Sequence, residues 1–150
     1  KTDTDKKLVI AGEASHTNDY LKKIKKSIKD DNRIIMTGFV QGIELQELYS
    51  NCLIYCLPSD VEGMPLSLLE AISYGCNCLV SDIEENKQIT EEANVITFKK
   101  GNIGDLEEKL QKLLNNHNKN KVYANDEFFK VHNWDYIEEK IEKIYNIGEK

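Results

Sequence analysis

The middle of the chain carries its most informative stretch, which reads Pro58-Ser59-Asp60-Val61-Glu62-Gly63-Met64-Pro65-Leu66-Ser67-Leu68-Leu69-Glu70-Ala71. An apolar run over residues 53–57 precedes it, as expected of a buried strand. Proline is favoured in the first turn of a helix and glycine just beyond its end, so Pro65 and Gly75 predict a helix over residues 65–74. The stretch therefore predicts a strand, a short loop and a helix in succession.

The same pattern continues on both sides of this stretch. Four more apolar runs are short and unbroken, which is typical of strands buried on both faces of a parallel sheet. These runs are Leu8–Ala11, Ile34–Met36, Cys78–Val80 and Val95–Phe98. Further helices are predicted over residues 18–29, 44–51, 84–92, 103–115, 119–131 and 135–147.

Strand–helix alternation with such short connections predicts a doubly wound, Rossmann-like α/β fold with a parallel sheet. The 150 residues show no evident linker or repeat, so we expect a single domain over residues 1–150. Ligands of such sheets bind beyond the carboxyl ends of the strands. We therefore look for a site near Gly12, Gly38 and the loop after residue 57.

The charge distribution limits the classes of ligand. The net charge is −6, and residues 59–98 carry one basic residue, Lys87, against eight acidic ones. A nucleic-acid-binding protein needs a basic footprint, so that class is disfavoured. We expect a phosphate bound in this segment to be held mainly by backbone N–H groups and not by a nearby lysine or arginine. No apolar run is long enough to span a membrane, and we expect a cytoplasmic protein.

The cysteines and histidines show no metal-binding pattern. The cysteines stand at positions 52, 56, 76 and 78, whereas zinc ribbons use C-x2-C pairs. We expect reduced cysteines packed in a cytosolic core. His16, His117 and His132 are scattered, so structural or solvated roles are expected for them, and no metal or cofactor is predicted.

Two carboxylates flank the predicted start of the central helix. Glu62 precedes the helix, and Glu70 lies between one and two turns inside it, in an otherwise apolar stretch. A buried carboxylate is costly unless it accepts hydrogen bonds, and paired sugar hydroxyls are suitable donors. The first-turn N–H groups around Met64, Leu66 and Ser67, with the helix dipole, favour a phosphate. A nucleoside diphosphate sugar displays that pattern of groups. From spacing alone, Glu62 could instead be a solvated loop acid and Glu70 a partly exposed residue paired with a lysine.

The stretch from Pro58 to Ala71, followed by Gly75, resembles the signature of the retaining GT-B glycosyltransferases of family GT4. The hallmark of that signature is a pair of glutamates with seven residues between them, here Glu62 and Glu70. Supporting blocks stand in the family's order at residues 8–13, 33–40, 48–52 and 80–86. The resemblance covers roughly residues 7–115 and the helix that begins near Trp134. It implies the C-terminal, nucleotide-sugar-binding half of such an enzyme.

The resemblance implies retaining transfer of a hexose from a UDP- or GDP-sugar to an acceptor hydroxyl, without a metal, in glycan or glycolipid synthesis. Glu62 would contact donor-sugar hydroxyls in the catalytic site, although not as a nucleophile, since the donor phosphate is thought to assist deprotonation of the acceptor. Glu70 would hold the ribose, and Val40 would meet the base through its main chain. The remaining donor-binding residues would be Gly12, Gly63, Met64, Pro65, Leu66 and Ser67.

Two features depart from the family pattern. Pro65 lacks the N–H that a glycine would offer there. Before Lys7 there is no room for the strand and helix that carry the arginine and lysine neutralising the diphosphate in this family. We therefore expect a donor-binding domain without its first strand–helix unit and without the N-terminal domain that binds the glycan or lipid-linked acceptor. The terminal helix, residues 131–150, would pack toward that absent domain, leaving part of its apolar stripe exposed.

Other interpretations stay open. A non-catalytic nucleotide-binding module, such as a phosphoacceptor receiver, would need an acid pair after the first strand, where Ala11-Gly12-Glu13 stands. A sugar-nucleotide epimerase or phosphorylase shares the architecture but fits the Glu62–Glu70 helix less well. An NAD dehydrogenase is disfavoured because no G-x-G-x-x-G follows a strand. The lysines of residues 22–26 are expected to form the solvent-exposed face of a helix. Alternatively, they contact the inner surface of an anionic membrane.

The 150-residue chain on its own is expected to show no meaningful sugar transfer, because it lacks the family's acceptor-binding domain and its diphosphate-neutralising pair. A radiolabelled sugar-transfer assay on this chain measures it. Turnover at the rate of a complete enzyme would contradict the expectation.

Overall fold

A computed structural model describes residues 2–13, 18–116 and 126–147. Over these ranges strands and helices alternate up to β5, and helices follow it. The strands are β1 (Leu8–Ala11), β2 (Ile34–Gly38), β3 (Ile54–Leu57), β4 (Asn77–Ser81) and β5 (Ile96–Phe98). The helices are α1 (Asn18–Ile28), α2 (Gly42–Ser50), α3 (Leu66–Ser73), α4 (Glu84–Glu92), α5 (Ile103–Asn116), α6 (Asp126–Val131) and α7 (Trp134–Ile147).

Every strand pair is parallel, which confirms the predicted α/β class. The five described strands form a two-stranded sheet, β1-β2, and a three-stranded sheet, β3-β4-β5. Within the described ranges, no strand ladder joins the two sheets. Each predicted helix is present, although the first part of the one expected over residues 119–131 lies outside the described residues.

The chain divides into two compact units, Asp3–Leu48 and Tyr49–Lys150, the latter grouped with the first two residues. The prediction of one domain over residues 1–150 stays a prediction.

In the unit Asp3–Leu48, β1 and β2 run in register from Leu8 opposite Ile34, with a shift after Ile10. The Gly12 N–H donates to the Gly38 carbonyl over 2.8 Å. Both glycines have positive φ, 128° and 72°, where a side chain would be strained. The expectation that all strands are buried on both faces is wrong here, because Leu8 is 51% exposed. A two-stranded sheet has no central strand, so β1 and β2 are both edges.

The core of the unit Tyr49–Lys150 lies around β4. All five residues of β4 are buried, among them the run Cys78–Val80, whose unbroken apolar character predicted a buried strand. Leu79 of this strand packs with Phe98 of β5 and Leu113 of α5. All four cysteines are free thiols, and burial raises the pKa of Cys56 to about 11.

The end of α3 has the predicted glycine. Gly75 adopts φ 70°, its N–H donates to the Ile72 carbonyl, and the Cys76 N–H donates to the Ala71 carbonyl. This pair of bonds is a Schellman motif, which satisfies the last carbonyls of the helix and turns the chain into β4.

The C-terminal helix α7 leaves Ile141 exposed, in line with the expectation for its apolar stripe. The side chains of Trp134 and Ile144, which belong to the same stripe, lie outside the described side chains. Within the described residues, no helix combines the length and the apolar character needed to cross a bilayer.

Helix α5 offers a matched test of the core. Leu113→Ala is expected to lower the free energy of unfolding by about 3 kcal/mol, because a fully buried leucine leaves a cavity when truncated. Ile103→Ala on the same helix, where the side chain is 79% exposed, is expected to change it by less than about 0.5 kcal/mol. Urea denaturation measures both, and equal effects would contradict the assigned core.

Candidate functional site

The loop between β3 and α3 is tied to the end of the neighbouring strand. The Ser81 hydroxyl, at the end of β4, donates to the Ser59 carbonyl over 2.6 Å. The fully buried Asn86 side chain of α4 in turn donates its Nδ2–H to the Ser81 carbonyl over 2.9 Å. Because Ser81 and Asn86 are both buried, the first residues of the loop are held by the interior of the protein.

Glu62 is half-buried in this loop. The Ser59 hydroxyl donates to Glu62 Oε1 over 2.5 Å, across three residues of the turn. This bond orients the carboxylate and occupies one of its oxygens with a neutral donor. The remaining oxygen keeps its capacity to accept hydrogen bonds, as sugar hydroxyls would require.

Lys100, which follows β5, reaches the same loop. Its N–H donates to Asp82 Oδ1 and its Nζ donates to the Asp60 carbonyl, both over 2.7 Å. Lys100 therefore places a positive charge beside this acidic turn. Lys100 is 40 residues from Asp60 in sequence, and only the adjacency of the strand ends brings the two together.

At the start of α3, one backbone N–H group that was expected to be free is hydrogen-bonded. Pro65 is the N-cap residue, and its carbonyl accepts the N–H groups of Leu68 and Leu69. The Leu66 N–H, expected to be free, donates to the Met64 carbonyl over 2.8 Å. In the described part of the chain the Ser67 N–H has no backbone acceptor, so a free donor remains in the first turn.

Glu70 lies on the exposed side of α3, as the alternative of a partly exposed helix residue has it, and is not buried in an apolar stretch. Leu68, Ala71 and Ile72 form the buried face of this helix. The Tyr49 hydroxyl lies 3.0 Å from Glu70 Oε2 and 3.3 Å from the Ser67 carbonyl.

A second tyrosine hydroxyl lies under the first turn of α3. The Tyr55 hydroxyl donates to Ser67 Oγ over 2.8 Å. Burial raises the pKa of Tyr55 to about 12, although the hydrogen bond with Ser67 lowers this pKa in part. Burial also raises the pKa of Tyr49. Both phenols therefore keep their protons at neutral pH and act as donors.

A cavity of about 290 Å³ adjoins the turn. Its wall includes His132, for which a structural or solvated role was expected and whose Nδ1 lies 2.9 Å from the Phe128 carbonyl. His16 and His117 lie outside the described residues. The cavity is lined by Gly63, Met64, Pro65, Glu84, Glu85, Ile89 and His132.

The predicted site residues fall into both units. Glu62 to Ser67 and Glu70 come together around the start of α3, in the unit Tyr49–Lys150. Gly12 and Val40 follow β1 and β2 in the unit Asp3–Leu48. Residues that sequence reasoning did not assign to the site are Tyr49, Ser59, Ser81 and Lys100. Over the described ranges, no group of three or more His, Cys, Asp or Glu side chains is placed to hold a metal ion.

The arrangement combines an exposed turn, a helix start with a free donor and two carboxylates oriented by hydroxyls. The sequence profile of the family glycosyl transferases group 1 matches residues 1–127. The chain belongs to this family. Membership supports the transferase class expected from the sequence.

Known relatives of this glycosyltransferase chain are longer. It is 26% identical over 146 residues to an uncharacterized glycosyltransferase of Methanocaldococcus jannaschii, covering 95% of this chain and 37% of that protein. It is 33% identical over 82 residues to the UDP-Gal:alpha-D-GlcNAc-diphosphoundecaprenol alpha-1,3-galactosyltransferase of Escherichia coli, covering 55% of this chain and 21% of that protein. The chain thus spans well under half of the curated relatives it matches.

The fold is shared with solved glycosyltransferase structures of the GT-B type. The crystal structure of Anabaena HepE in complex with UDP and glucose superposes with a TM-score of 0.71 at 17% identity. The match covers 79% of this chain and 34% of that chain. At this identity the likeness concerns the fold.

The raised pKa of Tyr55 predicts an alkaline loss of stability. An unfolded tyrosine ionises near pH 10, whereas folded Tyr55 resists ionisation up to about pH 12. The stability from a neutral Tyr55 is thus complete below pH 10 and is lost as the pH rises toward 12. Tyr55→Phe should flatten the fall in unfolding free energy over this range by up to about 1.4 kcal/mol per pH unit.

Urea unfolding at a series of pH values measures this slope. Tyr20→Phe is the matched control, because that tyrosine is 67% exposed. Identical slopes for Tyr55→Phe and the parent protein would show that the Tyr55 environment is wrongly assigned.

Proposed function

We propose that this chain is the donor-binding part of a retaining, GT4-like glycosyltransferase. The reaction moves a hexose from a nucleoside diphosphate sugar to an acceptor hydroxyl, in glycan or glycolipid synthesis. The observation that carries the proposal is the pair Glu62 and Glu70 at the start of α3, each oriented by a hydroxyl, from Ser59 and Tyr49 respectively.

The donor would extend along the start of α3. Glu70, exposed and bonded through Oε2, would accept hydrogen bonds from the ribose hydroxyls through its other oxygen. The diphosphate would lie at the N-terminal end of α3, where the Ser67 N–H and the helix dipole favour negative charge. Gly63, Met64, Pro65 and Leu66 would line the turn between ribose and hexose.

Glu62 would hold the transferred sugar. Its carboxylate would accept hydrogen bonds from hexose hydroxyls and fix the ring relative to the diphosphate, which lowers the entropic part of the barrier. As the sugar–phosphate bond breaks, negative charge develops on the leaving diphosphate. The α3 terminus would stabilise that charge, with Lys100 adding positive charge at the Asp60 carbonyl of the same loop. A donor phosphate oxygen would take the acceptor proton, so Glu62 needs no nucleophilic role.

One curated relative supports a UDP-sugar as the donor. The E. coli relative is named for a UDP-galactose donor and a diphosphoundecaprenol-linked acceptor. A lipid-linked acceptor would bring the intact protein to the inner membrane surface, to which the lysines of residues 22–26 could be attracted. The roles that the resemblance implies for Val40 and Gly12 stay predictions, because both residues belong to the unit Asp3–Leu48. No metal is needed in this proposal.

Two substitutions separate the roles of the carboxylates. In the intact protein, Glu70→Ala should weaken UDP and UDP-sugar binding equally, by roughly 10- to 100-fold, because hydrogen bonds to a charged group contribute about 1.5–3 kcal/mol. Glu62→Ala should leave UDP binding unchanged and weaken only the extra affinity for the UDP-sugar. Isothermal titration calorimetry with UDP, UDP-glucose, UDP-GlcNAc, UDP-galactose and GDP-mannose identifies the donor and measures both effects.

Glu108→Ala, on the exposed side of α5, is the matched control and should bind as the parent protein does. Parental affinity of Glu70→Ala for every nucleotide would show that the ribose assignment is wrong. A Glu62→Ala variant with reduced affinity for UDP itself would place Glu62 elsewhere on the donor.

A further inference from the structure

We propose that Tyr49 is a positioning residue that holds the Glu70 carboxylate in the orientation needed to receive the donor ribose. This inference rests on the proposed function, because it assigns the means by which Glu70 acts. It concerns a residue for which the sequence predicted only packing.

The first step is the exposure of Glu70. A glutamate on the exposed face of a helix has several rotatable bonds, and ordering them on ligand binding costs conformational entropy. The Tyr49 hydroxyl lies 3.0 Å from Glu70 Oε2, which is hydrogen-bonding distance to a charged acceptor. The bond restricts the carboxylate before the ligand arrives and uses only one of its two oxygens.

The second step is the rigidity of Tyr49 itself. The residue is 9% exposed, and its ring stacks on Tyr74 with centroids 5.4 Å apart and meets Tyr55 at 6.0 Å. Its carbonyl accepts the Cys52 N–H over 3.1 Å and the Cys76 thiol over 3.3 Å. A phenol has only two side-chain torsions, and here both backbone and ring are held by neighbours. Tyr49 can therefore impose its position on Glu70, and not the reverse.

The third step is the position of Tyr49 between Glu70 and the first turn of α3. The Tyr49 hydroxyl also lies 3.3 Å from the Ser67 carbonyl in the first turn of α3. One phenol thus touches both the ribose-binding carboxylate and the turn proposed to hold the diphosphate. The effect of losing it should be confined to ligands that use Glu70, which distinguishes positioning from general stability.

The test is the preference of the intact protein for ribose over deoxyribose. Calorimetric dissociation constants are measured for UDP and 2′-deoxy-UDP, with GDP and 2′-deoxy-GDP in parallel. For the preferred base, Tyr49→Phe should lower the ribose preference by about threefold to tenfold, the range expected for one hydrogen bond, with the deoxy ligand weakened less because it keeps only one of the two ribose hydroxyls. Tyr74→Phe is the matched control, since it removes a hydroxyl from the stacked neighbour and leaves the Tyr49–Glu70 bond in place.

The ratio of the two affinities keeps the test valid if Tyr49→Phe is less stable, because an unfolded fraction lowers the competent protein equally for both ligands. Glu70→Ala removes the carboxylate, so it is expected to abolish the ribose preference and to give the lowest ratio of the two affinities. If Glu70→Ala abolishes the preference and Tyr49→Phe keeps the parental ratio, the positioning role is overturned and the ribose assignment stands. If Glu70→Ala itself keeps the parental ratio, the proposed function of Glu70 is wrong, and the proposed role of Tyr49 is then wrong as well. A Tyr49→Phe variant that weakens both ligands equally would likewise overturn positioning in favour of a structural role.

Discussion

The complete burial of β4 is the constraint on which the described site depends. A strand buried on both faces must satisfy its backbone in the sheet, and β4 does so by pairing in parallel with both β3 and β5. Leu57 is opposite Val80, and Val80 is opposite Thr97, so the three strands end at one edge. The polar residues that follow the strands are therefore neighbours, however far apart they stand in the sequence.

Hydrogen bonds connect both candidate carboxylates, through a serine and a tyrosine, to the two ends of β4. Glu62 accepts from Ser59, whose carbonyl is held by Ser81 at the end of β4. Glu70 accepts from Tyr49, whose carbonyl is held by the Cys76 thiol just before β4 begins. Both carboxylates thus trace back to opposite ends of the same buried strand, with α3 between them.

Much of this could be predicted from local sequence, because strands, helices and the Pro65–Gly75 punctuation depend on patterns within a few residues. The Tyr49–Glu70 and Lys100–Asp60 contacts could not, since they join residues 21 and 40 positions apart that only the sheet brings together. The exposure of Glu70 could have been predicted from the sequence. Glu70 stands two positions from both Leu68 and Ile72, which places it on the opposite face of a helix from those buried residues.

The hydrogen bonds from Asn86 through Ser81 and Ser59 to Glu62 have an evolutionary consequence. Three bonds lead from a fully buried amide to the carboxylate proposed to hold the sugar. We expect an interior substitution at Asn86 or Ser81 to shift the loop and so to change the position of Glu62. With the role proposed for Glu62, sugar preference in such a domain would then change through mutations in the core, while every residue that touches the sugar stays the same.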